Sequence, residues 1–145
     1  MGPERLSAKG VVLHRGRVLL LSNRRGEWDL PGGQPDPGEA PRATVAREVR
    51  EETGLAVEVG AALEPQLFEV LSGRVVRILS YLCRLADQVP EECPVVLSDE
   101  HLASRWLPLD EIAETVDGLA LPACYRAAIR QAADQMPPSS TDRSA

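Results

Sequence analysis

Gly32-Gly33-Gln34-Pro35-Asp36-Pro37-Gly38-Glu39 runs into Ala40–Gly54, which contains Arg47-Glu48-Val49-Arg50-Glu51-Glu52. A loop punctuated by glycine and proline thus enters a segment with helical patterning. Pro35, Pro37 and Gly38 keep the chain from turning helical before Glu39. Pro41 is tolerated only near a first turn, which places the helix start close to it. Gly54 suits the left-handed position that terminates a helix. Val45, Ala46, Val49 and Thr53 fall on one face and would pin the helix to a sheet.

Beside that face, Glu48, Glu51 and Glu52 stand at i, i+3 and i+4, so three carboxylates share a neighbouring stripe. Exposed like charges at this spacing repel by about 0.2–0.5 kcal/mol per pair, and a cation would compensate them. Oxygen ligands of this kind suit Mg²⁺ or Mn²⁺ better than zinc, which prefers Cys and His. The competing explanation for any acidic triplet is a solvated helix face.

The surroundings favour the cation. From Gly33, five residues lead to Glu39, seven more to Arg47-Glu48-Val49, one to Glu51-Glu52 and one to Gly54-Leu55. This spacing resembles the Nudix box, and the chain is identified on it as a candidate member of the Nudix hydrolase superfamily, which includes the MutT-type pyrophosphohydrolases. The resemblance implies an α/β/α sandwich around a central mixed β-sheet. It also implies metal-dependent hydrolysis of a phosphoanhydride in a nucleoside di- or triphosphate, or in a nucleoside diphosphate derivative, with Mg²⁺ or Mn²⁺ as cofactor. Glu48 and Glu52 would be core metal ligands, the Gly32 carbonyl a further one, and Glu51 either a third carboxylate ligand or the general base. Related enzymes also take a carboxylate from a later loop, and Glu100 in Ser98-Asp99-Glu100-His101 is the candidate here. Arg47 is expected to pair with Glu39 or Glu51 and orient the ligands, whereas Arg50 is expected to face solvent.

Upstream, Lys9–His14 and Arg17–Ser22 are apolar runs separated by Arg15-Gly16 and read as a hairpin covered on both faces. Arg24 and Arg25 precede the glycines and are candidates for substrate phosphate, or simply solvated loop arginines. Trp28 is a candidate for base stacking, with packing as the alternative. Downstream, Leu55–Val59, Leu67–Leu71 and Arg74–Leu85 are rich in Val, Ile and Leu, and the last two form a second hairpin at Ser72-Gly73. Phe68 and Tyr81 on these strands are candidate pocket residues, again against a core role. Ala86–Leu97 reads as a loop, Arg105–Pro108 as a short strand, Asp110–Thr115 as a short helix, and Pro122 to Gln135 as a final helix.

Composition sets outer limits. A chain of 145 residues holds one domain, here assigned to residues 1–136, with a Pro/Ser-rich tail over 137–145 expected to be disordered. No apolar run reaches membrane-spanning length, and nothing resembles a signal peptide, so a cytoplasmic location is the expectation. The net charge of −6 argues against a nucleic-acid-binding surface. Among 16 positive residues, Lys9 is the single lysine. Cys83, Cys93 and Cys124 lack metal-ligand spacing and read as free thiols.

The resemblance leaves substrate and oligomeric state open. The proline of ADP-ribose-specific members, the tyrosine of diadenosine-polyphosphate members and the coenzyme A signature are absent from Val70-Leu71-Ser72 and its surroundings. Homodimers are common in the family. A non-catalytic nucleotide sensor and an isoprenoid-diphosphate isomerase share the fold. Sensors usually lose box glutamates, which are all present here, and no catalytic cysteine motif supports the isomerase.

Overall fold

Strand β1 (Arg5–His14) carries apolar side chains at odd and even positions, and the fold buries both sets. In the computed structural model, which describes residues 5–69, 73–86, 95–99 and 101–136, β1 lies centrally in a mixed sheet. It runs parallel to β7 (Val75–Leu85), from Arg5 opposite Val76 to Leu13 opposite Arg84. On its other side it is antiparallel to β2 (Arg17–Ser22), through a turn in which Arg15 and Gly16 both take positive φ. That is the geometry a two-residue hairpin requires.

Short strands complete the sheet. Trp28–Asp29 (β3) pairs with β2, and Gly32–Gly33 (β4) pairs with β1. Val57–Ala62 (β5) and Gln66–Glu69 (β6) pair with β7, and Ser104–Pro108 (β8) pairs with β2. Helix α1 (Pro41–Thr53) covers one face: its Val45 and Val49 pack with Ala8, Val12, Leu19, Leu21, Tyr81 and Cys83. Helix α2 (Ala123–Asp134) covers the other, where Ala128, Ile129 and Ala132 meet Val11, Leu13, Val18, Leu20 and Leu30. Gly10 allows the close approach of α1, since a Cβ there would stand 3.1 Å from Val45 and 3.3 Å from Val49. The expected α/β/α sandwich is the observed architecture.

Element boundaries follow the sequence closely in α1, where Pro41 opens the helix and Gly54 closes it at φ 78°. They differ elsewhere. β1 extends back to Arg5, and the strand expected from Leu55 is displaced to Val57–Ala62 with a register shift between Val59 and Ala62. The helix expected over Asp110–Thr115 is absent. A single 3₁₀ turn at Leu109–Glu111 gives way to a two-residue hairpin, Thr115–Val116 (β9) with Leu119–Ala120 (β10). Its turn is Asp117-Gly118, both at positive φ. Asp-Gly is a strong hairpin signal, and it outweighs the weak helical preference of the preceding residues. The expectations for Glu100, Cys93, the Ser72 half of the turn, most of the Ala86–Leu97 loop and the 137–145 tail fall outside the described residues.

Candidate active site

The glycine pair is more than a turn. Lys9 pairs with Gly32 and Ala8 with Gly33, so the diglycine forms a strand against the middle of β1. Gly32 adopts φ 150°, and a Cβ there would fall on the backbone of Ala8 and Lys9. At Gly33 the room left by the missing side chain is taken by Glu48, whose Oε2 lies 2.7 Å from where a Cβ would be. The Gly32 amide donates to Glu52 Oε1 at 3.0 Å. Two helix carboxylates are therefore seated on two glycine backbones.

Glu52 is 4% exposed. Burial, opposed by the Gly32 amide and by Lys9 and reinforced by the adjacent Glu48, pushes its pKa up to about 8. An open backbone cradle and paired carboxylates form an oxygen-only donor set that fits a hard divalent ion.

Glu51 takes a different position. Its side chain is 58% exposed and accepts from Arg47 Nη1 at 3.2 Å. Glu51 and Glu52 share a helix face but point about 100° apart, and α1 is rotated so that Glu52 is buried while Glu51 is exposed. Among the described residues, no three Asp, Glu, His or Cys side chains gather as a ready-made cation site. Glu48 and Glu52 lie against the diglycine, and Glu51 stands on the exposed side of them.

Arg47 organises that side. Its Nε and Nη2 bond both oxygens of Glu39 at 2.8 and 2.9 Å, while Nη1 reaches Glu48 at 3.1 Å as well as Glu51. The bidentate Glu39 pair uses the planar guanidinium in a way lysine would not reproduce. Glu39 also accepts from the Asp36 amide at 2.9 Å and the Thr44 hydroxyl at 2.9 Å. The Arg47 bonds, then the Asp36 amide, hold its pKa down to about 2. The bonds to Glu39, with the charges of Glu48 and Asp36 nearby, raise that of Arg47. Both partners expected for Arg47 are used, and Arg50 is exposed as expected.

The remaining candidates lie around this centre. Exposed Arg24 donates to the Asp99 carbonyl at 2.9 Å, and exposed Arg25 pairs with Glu27 at 3.1 Å. Segment 95–99 docks on the last turn of α1, with the Val96 amide on the Thr53 carbonyl and the Ser98 amide on that of Glu52. The loop leading to Glu100 is thus tied to the box helix. Tyr81 is buried on the α1 face with the Arg42 guanidinium 5.3 Å from its ring, whereas Phe68, opposite Val76, lies on the α2 face. The two are not brought together. Trp28 is 3% exposed and donates to the Val116 carbonyl at 2.8 Å, which is the packing role. Lys9 and Asp29, which belong to no motif in the sequence, form a buried pair 3.0 Å apart directly behind the diglycine. A lysine heading an apolar strand was the available signal.

Known proteins resemble this chain in sequence and in fold. The NUDIX domain profile matches residues 4–126. A MutT-like protein of Streptomyces ambofaciens is 36% identical over 113 residues, 75% of this chain and 67% of that one. The CTP pyrophosphohydrolase of Escherichia coli K12 is 29% identical over 106 residues, 70% and 73% of the two chains. The crystal structure of a MutT NUDIX hydrolase from Burkholderia pseudomallei superposes with a TM-score of 0.74 at 29% identity, covering 90% of this chain and 98% of that one. With its box glutamates seated on the diglycine strand, the chain belongs to the Nudix hydrolases, a family that acts on nucleotide derivatives.

Proposed function

We propose that this protein is a Mg²⁺- or Mn²⁺-dependent pyrophosphohydrolase of nucleotides, with nucleoside triphosphates as its leading substrate class. The observation that carries the reading is the Glu48–Glu52 pair lodged against the Gly32 and Gly33 backbone. Crowding a buried carboxylate and a partly buried one together disfavours their ionised forms at neutral pH, and a site that binds a divalent ion gives them a use. Glu48, Glu52 and the Gly32 carbonyl would hold the ion. When bound, it neutralises charge on the pyrophosphate and lowers the pKa of the attacking water.

This chain's residues supply the rest. The Gly32 amide fixes the direction of the Glu52 carboxylate, and Arg47 fixes Glu48 and Glu51 from the other side. Glu51, which is exposed, or Glu100 would take a proton from water entering the site. With a net charge of −6, the protein attracts a polyphosphate poorly by itself, so substrate would arrive with its cation. Two relatives support a nucleotide with a phosphoanhydride: the CTP pyrophosphohydrolase above and a bis(5'-nucleosyl)-tetraphosphatase of Rattus norvegicus, 36% identical over 100 residues.

The test is product release from a panel of ribo- and deoxynucleoside triphosphates, dinucleoside polyphosphates and nucleotide sugars, with Mg²⁺ and with chelator. Metal-dependent turnover of at least one triphosphate is expected. Nucleotide binding with no turnover under any condition would contradict the reading.

A further inference from the structure

Lys9 is 8% exposed, and its ammonium donates to Asp29 Oδ1 at 3.0 Å and to the Leu30 carbonyl at 3.1 Å. Asp29 Oδ1 in turn accepts the Leu30 amide at 2.9 Å. The next carbonyl, that of Pro31, accepts the Gly10 amide at 2.8 Å, and the Gly32 amide then reaches Glu52. Backbone polar groups from Leu30 to Gly32 are therefore tied off one after another, by Lys9, Gly10 and Glu52. The lysine stem fits the space that Gly32 leaves open, because a Cβ on Gly32 would stand 2.8 Å from Lys9 Cδ. A buried ion pair adds little to stability compared with an apolar pair of similar volume, so its directional bonds are what distinguish it.

We propose that Lys9 is a positioning residue for the hydrolytic site. From the α2 face of the sheet its ammonium fixes the Asp29–Gly32 segment, and so sets where the Gly32 amide holds the Glu52 carboxylate. The inference rests on the reading of Glu52 as a working site residue. Lys9 touches neither substrate nor ion; it acts through the diglycine strand.

The test uses the full chain carrying Lys9→Met together with Asp29→Asn, which removes both charges while keeping an acceptor for the Leu30 amide. Three quantities are read: the thermal melt, kcat and KM for CTP with Mg²⁺, and Mn²⁺ affinity of the nucleotide-free protein from the free-ion electron paramagnetic resonance signal. Kcat and Mn²⁺ affinity should each fall by about ten- to a hundred-fold with KM unchanged, as for other residues that orient metal ligands. Parent-like kcat and Mn²⁺ affinity per folded molecule, or a raised KM with kcat unchanged, would overturn the proposal. If the double variant does not fold, Lys9→Gln is read by the same criteria. A parent protein that neither hydrolyses a nucleotide nor takes up Mn²⁺ removes the site assignment and the role of Lys9 with it. A parent that does both, matched by the double variant, removes the role of Lys9 alone.

Discussion

Glu52 and Gly32 meet through a 3.0 Å bond from a backbone amide to a buried carboxylate, and that bond joins the box helix to the diglycine strand. It explains why the strand must be glycine. At φ 150° a side chain on Gly32 would strike the carbonyl oxygen of Ala8 and the stem of Lys9. Gly32→Ala is therefore expected to destabilise the fold by about 2 kcal/mol or more and to abolish turnover. Chemical denaturation and a nucleotide assay check both parts; a parent-like midpoint would refute the clash.

Removing the charge of Glu52 should separate stability from activity. Its pKa is raised in the folded state, so the folded protein retains a proton that the unfolded chain gives up near pH 4.5. Its contribution to metal-free stability is greatest below that pH and is lost as pH rises towards about 8. Glu52→Gln should flatten this decline, leaving the metal-free variant at least as stable as the parent at pH 8, while hydrolysis is abolished. Melting temperatures across pH 5–8 test it, and a slope unchanged by the substitution would count against the assignment.

Arg47 holds Glu39 with two nitrogens and Glu48 and Glu51 with the third. Arg47→Lys keeps the charge and loses the fork, so kcat should fall by about ten- to a hundred-fold with lysine giving little rescue over alanine. Glu39→Gln isolates the acid side of this contact. The folded pKa of Glu39 is depressed to about 2, so its stabilising effect is present above pH 4.5 and fades as pH falls towards 2. The variant should show a shallower acid-unfolding slope in that window.

Trp28 distinguishes packing from base recognition. Trp28→Phe deletes the donor to the buried Val116 carbonyl and should cost about 1–3 kcal/mol in stability with KM unchanged. A raised KM with a parent-like melt would assign the ring to substrate.

Local chemistry made α1 legible: Pro41, Gly54 and the box spacing mark its ends and its acidic stripe within one short window. The central hairpin was legible for the same reason, through Arg15-Gly16. What escaped depends on distant partners. Trp28 finds its acceptor 88 residues away, and Lys9 is buried because Asp29 waits 20 residues on. The stripe of Glu48, Glu51 and Glu52 was visible, but its division into an inner pair and an outer rim residue was not. That division is decided by the rotation of α1 against Gly10 and the diglycine, a matter of packing.

Calorimetric titration of Mn²⁺ into the parent protein and into Glu52→Gln tests the Glu48–Glu52 pair as a cation site. Saturable uptake by the parent, with proton release near neutral pH, is expected, and so is its loss in the variant. Identical titrations for the two proteins, or no uptake by the parent even with nucleotide present, would contradict that assignment.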